Sequence, residues 1–151
     1  MAPFIALISS FLLLWGMGSL GWSYFDHWHT SLQGAVAVMF LLTASAHWGK
    51  RRPDLIRMVP PAFPRPASIV TITGYLEIAG AIGMQIPVVS LAASIGLVLL
   101  LLAMFPANVL AARKKLTIGG KPVPRLAVRI VLQLVFMGAV VLASPWFGEY
   151  L

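Results

Sequence analysis

Cysteine is absent from the 151 residues, which removes disulfides, thiolate nucleophiles, iron–sulfur clusters and Cys-ligated zinc in one step. Acidic side chains are scarce too: four Asp and Glu stand against eleven Lys and Arg. Charged residues make up 10% of the chain, whereas a soluble domain carries about 25% to cover its surface. A surface this poor in charge is one that meets lipid. The cations are also missing from most of the chain, since all eleven lie within 50–65 and 113–129. Confinement of Lys and Arg to alternate connections is what the positive-inside rule produces in a multi-span membrane protein. Neither cluster has the interleaved aromatics of a single-strand binding groove, so the net charge of +7 points to anionic membrane lipid and not to nucleic acid.

What fills the chain instead is apolar sequence, 60% of all residues. Five apolar segments, 3–24, 31–48, 68–87, 91–112 and 126–146, each approach the ~20 residues that cross a bilayer core as a helix. None alternates with a period of two, and their length and their Leu, Ala and Met content favour helix, so an all-α transmembrane bundle is expected over a single domain, 1–151. The first segment lacks a basic n-region and a small-residue cleavage pattern, and is read as a retained span. With the basic connections 49–67 and 113–125 placed in the cytoplasm, the five spans run N-terminus in, C-terminus out, through a cell membrane. Trp22, Tyr24, Trp28, Trp146 and Tyr150 then fall at the outer interface and Trp48 at the inner one.

The connection RRPDLIRMVPPAFPRP at 51–66 holds five prolines in sixteen residues, which excludes a long continuous helix and leaves room for one short turn at 54–58. LTIGGKPVP at 116–124 predicts a tight Gly-Gly turn. GMGSLG at 16–21 matches a dinucleotide-loop pattern by letters, yet it sits in an apolar span with no preceding strand. Together with Ala79/Gly83, Ala92/Gly96 and Ala139/Ala143 it reads as small residues for close helix contact, within the chain or in an oligomer.

Few side chains are left to carry chemistry. Glu77 lies deep in the third segment, where a carboxylate must be protonated or paired, and Thr73 shares its face. Arg129 and Gln133 are four residues apart on the fifth segment, at a depth that predicts contact with Glu77 directly or through one water. Pro106 frees the carbonyl of Leu102, and Asn108 is a second polar group beside it. His47 closes the second segment. Asp26, His27 and His29 in the outer DHWH run are too sparse to assign a metal, and a haem between two membrane histidines is disfavoured because His47 alone lies near a span core. No nucleophile, metal set or nucleotide loop suggests an autonomous enzyme, and no catalytic residue is assigned.

AHWGKRRPDLIRMVPPAFPRP, TGYLEIAGAIG, FPANVLAAR and RIVLQ, taken in order over roughly 35–135, resemble the DoxX-like family of small membrane proteins. Trp48 stands where Phe is common after the His. The resemblance implies a four-helix core with an additional N-terminal span. It marks His47, Glu77, Asn108, Arg129 and Gln133 as the characteristic polar positions, expected to form one cluster. By the same resemblance the protein is an accessory membrane subunit, without an intrinsic cofactor, binding a quinone or similar lipophile for a membrane or cytoplasmic redox partner. Two other functions fit the residues. One is an interaction protein docking partners on its basic loops, with a purely structural polar cluster; the other is a small proton-linked transporter with Glu77 titrating at mid-membrane.

Overall fold

The structure, a computed structural model, describes residues 1–148. Tyr150 and the end of the C-terminal tail lie outside the described residues. The fold is all-helical apart from one small hairpin. Long helices α1 (Ala2–Ser19) and α2 (Trp28–Ser45) are followed by short α3 (Arg52–Met58), then α4 (Pro66–Gly83) and α5 (Pro87–Arg113). The hairpin β1 (Thr117–Ile118) and β2 (Lys121–Pro122) leads to α6 (Leu126–Leu142) and the one-turn α7 (Pro145–Gly148). Proline occupies one of the first two positions of α1, α3, α4 and α5, where its fixed φ favours the helix and its missing N–H costs nothing.

Three helices, α1, α4 and α5, are long and apolar enough to cross a membrane; α6 is apolar but only 17 residues long. The less apolar α2 carries Thr30, Ser31, Gln33, Thr43 and Ser45, and its place in the fold explains why. It packs against α1, α4 and α6, while α5 packs against α4 and α6. So α2, α4, α5 and α6 close a four-helix ring, and α1 leans on α2 from outside. Val36, Met39 and Phe40 of α2 meet Ala81, Met84, Leu97 and Val140 in the core. A helix enclosed by protein can carry polar groups that its neighbours satisfy. The outward faces cannot, and they are bare hydrocarbon: Leu134 is 62% exposed and Leu99 59%.

Several helix ends depart from expectation for local reasons. The first helix stops at Ser19 because Gly21, at φ +110°, turns the chain. The Gly21 and Trp22 N–H groups donate back to Gly18 and Met17, closing a Schellman motif. A Cβ on Gly18 would overlap the Phe25 carbonyl, which accounts for two glycines of the GMGSLG run. Helices α4 and α5 start at Pro66 and Pro87, earlier than hydropathy alone suggests, and α5 continues through Pro106. Ala79, Gly80, Gly83, Ala92 and Gly96 line a shallow apolar groove of about 280 Å³ between α4 and α5; a Cβ on Gly80 would overlap Leu97 and one on Gly83 would come within 2.9 Å of Ala93, so these two serve contact within the chain.

The connecting segments fasten the two ends of the bundle. Gly119 and Gly120, at φ +58° and +76°, form the two-residue hairpin turn between Ile118 and Lys121, a geometry that needs positive φ at both positions. The segment after α2 makes seven residues of helix, α3, and not only a turn at 54–58. Asp54 in its first turn accepts the Gly119 N–H at 2.8 Å and a second bond from Arg57. Both basic connections therefore lie at one end. At the other end Gln33 Nε2 donates to the Ala143 carbonyl at 3.0 Å, and Gln85 Nε2 to the Gln33 carbonyl at 3.1 Å.

The Gly119 N–H, and after it the Arg57 guanidinium, hold the Asp54 carboxyl below its ordinary value of 3.8. Because the folded value is the lower one, the clip's contribution is complete above the ordinary carboxylate range and is lost as pH falls through the depressed value. The Gly119 amide resonance is expected to hold its position down to mildly acidic pH and to move only below about 3.8. In Asp54→Asn that titration should vanish.

Candidate functional site

Helix α4 carries Glu77 roughly 17 Å along its axis from Pro66, where the side chain is buried to 3% exposure. Its neighbours come from α2. Thr43 Oγ1 lies 2.7 Å from Glu77 Oε2 and 2.9 Å from the Phe40 carbonyl, so the hydroxyl can donate to one and accept from a protonated acid. His47, in the turn that follows the end of α2, points Nε2 at Glu77 Oε1 at 3.4 Å. The other ring nitrogen, Nδ1, is 2.6 Å from the Val70 carbonyl. A carbonyl can only accept, so Nδ1 carries a proton. A bare Nε2 facing a bare carboxylate would leave an uncompensated buried charge, at a cost of several kcal/mol. The contact consequently holds one proton, as neutral acid and imidazole or as carboxylate and imidazolium, and in both forms the pair is neutral.

The surroundings press this pair into place. A Cβ on Gly74 would come within 2.8 Å of the His47 side chain and of the Trp48 ring, so glycine is what lets α2 approach α4. Thr73 Oγ1 sits 3.4 Å from His47 Nδ1 and bonds the Ile69 carbonyl of its own helix. Arg52 at the start of α3 donates to the His47 carbonyl at 2.7 Å and to Thr71 at 2.9 Å. Trp48 and Tyr75 meet edge to face at 5.0 Å.

Asn108, Arg129 and Gln133 form a second, separate group between α5 and α6. Gln133, 7% exposed, donates through Nε2 to the Leu101 carbonyl at 2.6 Å and accepts from Asn108 Nδ2 at 3.2 Å. The carbonyl it reaches is one residue before Leu102, the one that Pro106 frees. Arg129 Nη2 bonds Asn108 Oδ1. The Nε of Arg129 is buried and finds no hydrogen-bond partner, and among the described residues no carboxylate pairs with this guanidinium. The cation also stands in the first turn of α6, where the helix dipole is already positive.

Among the described residues no direct hydrogen bond joins Glu77 to Arg129 or Gln133, and the direct bonds divide the five polar positions into two groups. The reason is the ring order. Helices α4 and α6 stand diagonally across it, and each turns its polar face to a different neighbour, α4 to α2 and α6 to α5. Thr43 was missed from the sequence although it stands four residues before His47, on the last turn of α2. His29 and Gln33 repeat that spacing at the far end of α2. His29 Nε2 lies 2.9 Å from the Ser144 carbonyl, so the DHWH run yields a cap for the end of α6.

Glu77→Leu should destabilise the protein by about 1–3 kcal/mol, because Thr43 and His47 lose a buried partner. Glu77→Gln keeps an acceptor and a donor in place and should cost less than half as much. Gly74→Ala should cost about 1–3 kcal/mol through overpacking against His47. Denaturant unfolding in detergent micelles ranks the three.

No curated protein and no solved structure matches the chain. The family described as a domain of unknown function, DUF8561, matches residues 36–143, a range that takes in α3 to α6 and most of α2 but leaves α1 outside. The chain belongs to that family.

Proposed function

We propose that this chain is a five-span, DoxX-like protein of the cell membrane, with its N-terminus and basic connections in the cytoplasm. It holds a lipophile that presents a carbonyl or anionic oxygen, such as a quinone, for a redox partner. The observation that carries this reading is Arg129: a half-buried cation with an unpartnered Nε and, among the described residues, no acidic countercharge. A guanidinium has five N–H donors, and one of them is engaged, by Asn108. An electron-rich oxygen is what such a group lacks, and the positive end of α6 favours it further. Asn108 and Gln133 fix the guanidinium by bonds to each other and to the α5 backbone. A bound quinone would supply the electron and proton chemistry; the residues here would orient its oxygen and exclude water.

Glu77 takes a different part. Each of its oxygens has an internal partner, so His47, Thr73 and Glu77 support the structural reading, in which a polar cluster locks α2 to α4. The ligand site thus narrows to Arg129, Asn108 and Gln133.

Mass spectrometry of organic extracts from detergent-purified protein tests the assignment. Arg129→Met should retain at least about tenfold less of a copurifying lipophile than wild type, the loss expected for one charged hydrogen bond. Glu77→Gln should retain it. Equal extracts from all three proteins would leave the scaffold function standing in its place.

A further inference from the structure

Ten of the eleven cations lie on the two connections that Asp54 clips together. Arg52 and Arg57 are consumed by internal bonds. The remaining eight are exposed, and among the described residues no side-chain hydrogen bond or ion pair engages them. Asp54, the one acid on these connections, is spent on Gly119 and Arg57. A Cβ on Gly119 would lie 3.4 Å from Arg51 Nε, so charges more than sixty residues apart in sequence share one surface. Exposed rings stand on the same connections, with Trp48 at 42% and Phe63 at 50%.

The backbone adds a second observation. Among the described residues two non-glycine residues have a left-handed backbone, Arg65 at φ +55° and Lys115 at φ +49°, and both are cations of this surface. Lys115 occupies the position after the end of α5 where a Schellman motif closes, with Leu116 N–H donating to Ala111 and Lys115 N–H to Ala112. Glycine fits that position without strain. A lysine kept there trades backbone comfort for a charge at a set point.

From these observations we infer that the clipped connections form one binding surface for the headgroups of anionic phospholipids in the surrounding leaflet. The inference rests on the membrane-spanning reading above. Cations supply the attraction, about a fivefold change in affinity for each near the surface. The aromatic rings set the surface at the depth where phosphate meets hydrocarbon, which selects a lipid over a soluble anion.

The test is a thermal-shift titration of the full chain in detergent micelles with short-chain phosphatidylglycerol, phosphatidylcholine and glycerol 3-phosphate. Phosphatidylglycerol should stabilise the protein in a salt-sensitive way, with phosphatidylcholine without effect. Lys115→Gly should raise the melting temperature without lipid by a few degrees, roughly the relief of one strained residue, and weaken phosphatidylglycerol binding about fivefold. Asp54→Ala removes the negative charge and also the acceptor for the Gly119 N–H, so the clip opens and the affinity should fall; a rise would mean that net charge alone acts. Equal responses to the two lipids, or equal binding of glycerol 3-phosphate, would overturn the inference. Retention of the protein in membranes after an alkaline carbonate wash reports the spanning reading separately.

Discussion

Polar groups in an apolar bundle must satisfy one another, and here that constraint runs through α2. Gln33 and His29 hold the end of α6, Thr43 and His47 hold Glu77 of α4, and Gln85 reaches back from beyond α4 to the Gln33 carbonyl. Apolar packing against lipid-like surroundings offers little preference for one helix partner over another. Hydrogen bonds at both ends of one central helix supply that preference. They fix which helices are neighbours and how each is rotated. Helix α5 is positioned from the other side, through Gln133 and the Leu101 carbonyl.

The two polar groups differ in a way that separates support from recognition. Glu77 and His47 are closed: each nitrogen and oxygen has a neighbour within the chain, and one proton makes the pair neutral. Arg129 is open, with a buried donor pointing at no acceptor of the described protein. Buried polar networks are stable when complete and demanding when they are not. The incomplete one is where an external molecule gains most by arriving.

Much of the helical layout was legible from residues alone. Period and length placed the five long helices within a few residues, and the Gly-Gly pair announced its turn. Proline positions then moved the starts of α4 and α5, and Gly21 moved the end of α1, by local rules that hydropathy averages out. The polar cluster was legible only helix by helix. Helical periodicity put Thr73 beside Glu77 and Gln133 beside Arg129, and both pairings stand on shared faces. It contains no information on which neighbour each face meets, so the joining of Glu77 to Arg129 rested on equal depth. Depth was a poor guide because α4 and α6 are diagonal. Thr43 and Gln33 looked like ordinary polar punctuation in a weakly apolar helix; their role becomes visible once α2 is known to be central.

The clip between Asp54 and Gly119 joins residues 65 positions apart. At about 5–20 residues per second of synthesis, Asp54 leaves the ribosome roughly 3–13 s before its partner exists. Through that interval α3 has only its own Arg57 to hold the carboxylate, and α4 and α5 must form with their flanking connection unfastened. The hairpin turn is therefore a late event, and its two glycines act as a latch that closes only after α5 has been delivered.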